Sequence, residues 1–247
     1  MVVDRLAQAV RQQLGLGRLL PLGGPGDGAW LTERAAHGVL RRAAEAVPGV
    51  RLETLRVNLA DPAAAEPPAV PPPPSALPAG PLRIDAEFAA SADHPLPVAA
   101  DRLRGALFGA ARDRLGLLVR TVDLRVTGLL DGPGAPRPAG RARSAQRPPA
   151  ADDSDQVPAG AVAARAMAAA VPGVARLTPV LGGSGQAVRV EDRSDRSPGR
   201  HVLVQVAVTA DRRALDVALA VRAAVASAVS GPVTVAVLVT WVETSDG

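Results

Sequence analysis

The 247-residue chain has no cysteine, no tyrosine and no lysine. Without cysteine there is no disulfide framework, no thiolate nucleophile and no cysteine-ligated zinc, which suits a reducing compartment such as the cytoplasm. Aromatics are almost lacking: only Phe88, Phe108, Trp30 and Trp241 occur. The core must therefore be filled by Ala, Val and Leu, and there is little surface on which unpaired bases could stack. The absence of lysine and tyrosine explains an isoelectric point near 11.1, because nothing titrates between neutrality and arginine. The net charge is only +4, spread as +1 over residues 1–28, +1 over 29–130, 0 over 131–156 and +2 over 157–247. No segment concentrates the basic charge of a phosphate footprint, so no nucleic-acid partner is expected.

A long apolar run is also missing. Val217 to Val242 carries only Arg222 as a charge, yet Gly231-Pro232 interrupts it, so a buried helix followed by a buried strand is expected rather than a membrane span. Asp4, Arg5, Gln8 and Arg11 break up the first fifteen positions, unlike the apolar stretch of a secretory signal.

What the chain does have is a repeated stretch. Ala46-Val47-Pro48-Gly49-Val50 returns 124 positions later as Ala170-Val171-Pro172-Gly173-Val174. Each time an Ala-rich helical run, carrying Arg41 or Arg165, is stopped by Pro-Gly ahead of an extended segment. From Leu82 the correspondence becomes continuous at an offset of 118: Ile84, Ala86 and Phe88 match Val202, Val204 and Val206, Asp93 matches Asp211, and Leu103-Arg104 matches Val221-Arg222. Thr121 to Thr127 then matches Thr234 to Thr240 at an offset of 113. The periodicities read as strand, helix and strand.

The predicted fold is α+β, with two tandem α-β-β-α-β repeats, each a small three-stranded sheet with two helices on one face. Residues 1–29 form an N-terminal amphipathic helix, with Val3, Leu6, Ala7, Val10 and Leu14 on one side, and a Gly-rich linker. Residues 30–130 form the first repeat, whose helix is capped by Thr32 and buries Leu31, Ala35, Val39, Ala43 and Val47. Its loop at 62–81, with Pro71 to Pro74 in a row, is expected to be exposed and outside any sheet. Residues 131–156 form a flexible linker and 157–247 the second repeat.

Candidate chemistry is sparse, and no catalytic, cofactor-binding or metal-binding residue is assigned. His37 lies between Glu33 and Arg41 on a helix face expected to be solvated. His94 and His201 stand where the other half has Arg212 and Arg83. Asp93 and Asp211 are expected to cap helices. Gly182-Gly183-Ser184-Gly185 precedes an extended segment, so it reads as a turn rather than a phosphate cradle. Asp152, Asp153 and Asp155 lack the spacing of a calcium loop.

The sheets carry the informative asymmetry. Opposite the helices, the first repeat presents Asp85, Glu87, Thr121, Asp123 and Arg125, whereas the second has Leu203, Gln205, Thr234, Ala236 and Leu238, with Val242 beyond. An apolar outer face on one sheet only should be covered. Leu203, Ala236, Leu238 and Val242 are the candidate interface, against the first repeat, against another subunit, or beneath the N-terminal helix or the linker.

The order of elements, with Pro-Gly-Val after the first helix, resembles the bacterial alkaline shock / general stress protein family of the envelope stress response. The second half, Val157 to Glu243, carries the closer likeness, and the proline-rich loop stretches the first. The chain, including Gln13 to Leu22, also resembles an actinobacterial group labelled nucleopolyhedrovirus fibril protein family. The first resemblance implies a cytoplasmic, non-enzymatic scaffold that assembles with itself or its relatives and is held near the membrane by a separate anchor protein. The alternative is a module binding a small molecule or nucleic acid in the cleft between the repeats.

Overall fold

The computed structural model describes residues 17–93, 95–130, 159–181, 186–193 and 199–243. The first half contains β1 (Leu19–Pro21), β2 (Ala29–Thr32), α1 (Glu33–Glu45), β3 (Val50–Leu59), β4 (Leu82–Ser91), α2 (Leu96–Gly109), a π-helical turn at Ala110–Leu115, and β5 (Val119–Leu130). The second half contains α3 (Ala159–Ala169), β6 (Val174–Leu177), β7 (Val188–Arg193), β8 (Gly199–Thr209), α4 (Ala214–Ala228) and β9 (Val233–Glu243). The class is α+β, as the periodicities predict.

The first sheet has three strands in the order β3-β4-β5, with β3 antiparallel and β5 parallel to β4. The second sheet is larger than predicted, with six strands. β6 and β7 lie along one edge of β8, β9 runs parallel to β8 on the other side, and β2 then pairs parallel with β9 and carries β1. Trp30 and Leu31 therefore lie in a strand that crosses to the other half, so Leu31 is not part of the stripe of α1, and a boundary drawn at residue 30 falls inside the strand. Thr32 does cap α1, its hydroxyl accepting from the Ala35 amide at 3.2 Å. A β-region cap lets one residue end the strand and start the helix.

The turns and registers of the halves match closely. Gly49 (φ +71°) and Gly173 (φ +95°) take the left-handed conformation that glycine adopts without penalty. The Gly49 carbonyl accepts from the Ser91 amide at 2.7 Å, and the Gly173 carbonyl from the Thr209 amide at 2.9 Å. Ile84 pairs with Val122 and Val202 with Val235, at the offsets read from the sequence. Both parallel ladders are interrupted at the same point, Thr127 and Thr240, where the hydroxyl donates at 3.1 Å to the carbonyl of Phe88 or Val206.

One continuous apolar core joins the inner faces of both sheets through the helices, with α1 packed on β3 and on β9. Phe88, Leu103, Leu107, Val204, Val221 and Val237 are fully buried within it. Being small and branched, most of these side chains fill the space between layers without an aromatic centre.

Candidate functional site

The outer face of the first sheet is a charged lattice. Arg83 Nε lies 3.1 Å from Asp85 and 3.7 Å from Asp123, and Arg125 lies 3.6 Å from Glu87. Thr54 donates to Glu87 at 3.0 Å and Asn58 to Asp85 at 3.1 Å. All but Arg83–Asp85, which lies within β4, are cross-strand pairs, and beside them is an open depression of about 410 Å³ bounded by Thr54, Arg56, Asp85, Glu87, Asp123 and Arg125. Such exposed pairs set charge pattern more than stability.

The corresponding face of the second sheet is buried by this chain itself. Leu203, Ala236 and Leu238 pack with Leu19, Trp30, Val70, Val180 and Leu181, and Ala76 lies against the cluster. Val70 and Ala76 belong to the proline-rich loop, which is thus a cover and not simply an exposed excursion. Its main chain is tied down: Leu77 donates to the Leu19 carbonyl at 2.8 Å and Ala69 to that of Pro25 at 2.9 Å. The Thr178–Leu181 segment is held by Gln205, whose Oε1 accepts from the amides of Val180 at 3.0 Å and Leu181 at 2.6 Å. Val242 is not on this face. The register step at Thr240 turns it toward the helices, where it joins the main core.

A buried hydroxyl cluster seals the seam between β2 and β9. Thr32, Thr178 and Thr240 have no exposed surface. Thr32 donates to the Thr240 carbonyl at 3.0 Å, and the Thr178 and Thr240 hydroxyls lie 2.7 Å apart. Each satisfies a polar atom that would otherwise be desolvated without a partner.

The sheet edges differ as sharply as the faces. On β9, the Val237 amide donates to the Gly28 carbonyl at 2.9 Å, and Arg222 holds the carbonyls of Gly26 and Asp27 at 2.7 and 3.0 Å. Arg222 from α4 thus grips the chain just before it enters β2. The matching strand β5 has no strand partner on that side among the described residues. The matching arginine, Arg104 of α2, instead donates to the edge carbonyl of Val122 at 3.4 Å and pairs with Asp101 at 2.6 Å. Val126 and Leu129 of β5 are 40% and 60% exposed, so the strand's C-terminal half stands clear of the core.

Near the start of α1, Arg18 and Glu33 clamp the chain, the guanidinium reaching Glu33 Oε1 at 2.9 Å and the carbonyl of Val57 at 2.8 Å. Burial pushes the Glu33 carboxyl up, but the hydrogen bonds and charge of Arg18 hold it below the usual carboxylate range. His37 is half-buried rather than solvated, with Nε2 out of contact with solvent and 3.9 Å from Glu33. Burial lowers the imidazole pKa, Glu33 opposes this, and Arg41 and Arg18 add to it.

Asp93 and Asp211 do not cap helices; those caps are Pro95 and Arg213, neither with a side-chain bond. Asp93 instead accepts from the Ser91 hydroxyl, and Thr209 stands in the same relation to Asp211. His201 lies 2.9 Å from the Thr234 hydroxyl. His94, the Gly182–Gly185 turn, the aspartates at 152, 153 and 155 and the N-terminal helix lie outside the described residues. Among the described residues, no cluster of three or more His, Asp or Glu side chains could hold a metal ion, and no helix is long and apolar enough to cross a membrane.

The strand edge and the loop cover were not found from sequence. The only signal for the edge was the Leu103-Arg104/Val221-Arg222 match; nothing local marks Gly26–Thr32 as a strand for β9. No protein-family model, curated protein or solved structure matches the chain.

Proposed function

We propose that this chain is a non-enzymatic interaction protein that works by sheet-edge pairing, a cytoplasmic scaffold component of a cell-envelope stress response that assembles with itself or with related proteins near the membrane. The observation that carries the reading is the β5 edge. β9, built on the same frame, receives β2 along its edge, while β5 offers the same parallel-sheet edge without a strand on it among the described residues. Strand addition at such an edge is a general mode of recognition, with main-chain bonds supplying affinity and alternate side chains supplying selectivity. The envelope-stress context rests on the Pro-Gly-Val and element-order resemblance alone.

Sizing of the purified chain, by itself and mixed with the related proteins of its host, tests this. Val126→Pro serves as control, since it removes an amide from the open edge at a position where proline is tolerated in an edge strand. A species larger than one chain that Val126→Pro abolishes is the expected result. A chain that stays single alone and in every mixture sinks the reading.

A second reading, a small-molecule-binding module, draws on the depression of about 410 Å³ on the first sheet, where Asp85, Glu87 and Asp123 stand beside Arg56 and Arg125. It would take a small polar ligand. This site is on the outside of one sheet and not in a cleft between the halves.

A further inference from the structure

The β5 edge specifies its own partner. Resting on the strand-addition reading above, we infer that β5 pairs antiparallel with β5 of a second copy of this chain, about a two-fold axis at Leu124, joining the first sheets of two chains edge to edge.

The backbone direction fixes which residues meet. Arg104 reaches the Val122 carbonyl from outside the sheet, and Val237, the counterpart of Leu124, donates outward to Gly28. Val122, Leu124 and Val126 therefore turn their amides and carbonyls to the open edge. Two copies can continue one sheet only if residues of the same face stand opposite each other. With the axis at Leu124, Leu124 exchanges main-chain bonds with its own counterpart, and Val122 with the partner's Val126.

Charge selects this register from its neighbours. Centred on Leu124, Asp123 stands directly opposite the partner's Arg125, and Arg125 opposite the partner's Asp123. Moving the axis to Asp123 opposes two aspartates, and moving it to Arg125 opposes two arginines. Directly opposite like charges destabilise a strand pair, and opposite charges stabilise it. Moving it to Val122 sets Asp123 against Thr121 and gains no ion pair. Asp123 stands beside Asp85 across the β4/β5 ladder, and the Arg83 guanidinium lies within ion-pair distance of both. The partner's Arg125 supplies the second cation. Arg104 covers the Val122 carbonyl in the single chain, shielding the edge until the partner strand replaces it.

Charge reversal with light scattering tests the assignment. The wild-type chain should reach twice its 25.1 kDa mass. Asp123→Arg and Arg125→Asp should each raise the dissociation constant at least about tenfold, since each places like charges opposite at both symmetric positions. The double variant Asp123→Arg/Arg125→Asp should return to within about threefold of wild type, because the pairing is regenerated in the same register. Circular dichroism checks that each variant stays folded. The chain has no native cysteine, so Leu124→Cys gives a unique register probe. Cα atoms of a hydrogen-bonded pair lie about 5.5 Å apart, within disulfide reach, so mild oxidation should yield a covalent dimer.

A dimer indifferent to charge reversal overturns the inference, as does a double variant no better than the singles. So does a wild-type chain that remains single at every concentration reached. In that last case, pairing with a different protein that Val126→Pro abolishes leaves the strand-addition reading standing, and no such pairing removes both. A single chain with slow amide exchange along β5, its own 131–158 segment occupying the edge, also overturns self-pairing.

Discussion

Position by position, the two sheets wear opposite surfaces on one backbone frame. Asp85, Glu87, Asp123 and Arg125 of the first stand where Leu203, Gln205, Ala236 and Leu238 stand in the second. The second set lies under the proline-rich loop and the Thr178–Leu181 segment, and the first faces water across an ion-pair lattice. The edges diverge in the same sense, with β9 carrying β2 and β5 carrying no strand among the described residues. Face chemistry therefore follows from what lies on each sheet, not from the frame. The frame needs only the inner face, the Gly turns and the threonine step, and these are what the halves share.

The sharpest break in that comparison is Leu238→Lys against Arg125→Leu, the same position in the two sheets. Leu238 has no exposed surface and packs among Leu203, Trp30 and Val180, so an ammonium there would be desolvated without a carboxylate. A loss of about 4 kcal/mol or more is expected, enough to unfold much of the protein. The Arg125 side chain is 80% exposed, and its removal should change stability by less than about 0.5 kcal/mol. Urea denaturation of both variants checks this. Near-wild-type stability for Leu238→Lys would mean that the loop cover is not packed.

Much of this contrast is legible in the sequence. The alternation in β4, β5, β8 and β9 gives the inner faces up to the steps at Thr127 and Thr240, and the offsets of 118 and 113 give the registers because both halves keep the same turn geometry. The apolar outer face announced that it would be covered. What covers it was not legible. Val70 and Ala76 sit in a stretch whose prolines argue only against a regular strand, and its hold on Leu19 comes from isolated main-chain bonds without a side-chain signature. Leu31 reads as part of the buried stripe of the helix that Thr32 caps because a four-residue strand has too few positions to show its period, and its partner lies some 208 residues away, as the Thr32–Thr240 bond shows. Val242 was placed on the wrong face because a one-residue step at Thr240 inverts the alternation after it.

That step offers a smaller test. The Thr240 and Thr127 hydroxyls both lie 3.1 Å from a carbonyl of the neighbouring strand, but Thr240 is fully buried beside Thr178, whereas Thr127 is exposed and has the Glu53 carboxylate as a second acceptor at 2.8 Å. Valine keeps the shape and removes the hydroxyl. Thr240→Val leaves the Val206 carbonyl and the Thr178 hydroxyl short of a partner away from water, and should cost about 1–2 kcal/mol. Water can replace the Thr127 hydroxyl, so Thr127→Val should cost about 0.5 kcal/mol or less. Equal losses in denaturant midpoints would show that the bulge needs the hydroxyl in both halves, independent of burial.

The first helices of the halves give the mildest contrast, one read through pH. His37 of α1 stands, at the offset of 124, where α3 has the buried Ala161. Its folded pKa is lowered by burial, so the unfolded chain takes up the proton first as the solution is acidified. Stability from the neutral imidazole is fully present above the ordinary histidine value of about 6.5 and is lost as pH falls from there toward the lowered folded value. Glu33 acts in a separate window: its folded pKa is also lowered, so its contribution is present above the usual carboxylate value and lost as pH falls through the folded one. His37→Ala, which gives α1 the residue of α3, should flatten the stability curve just below neutrality and leave the Glu33 contribution at lower pH in place. Denaturant midpoints across pH 2 to 8 read both windows. A slope below neutrality that persists unchanged in His37→Ala would assign it to a group other than this imidazole.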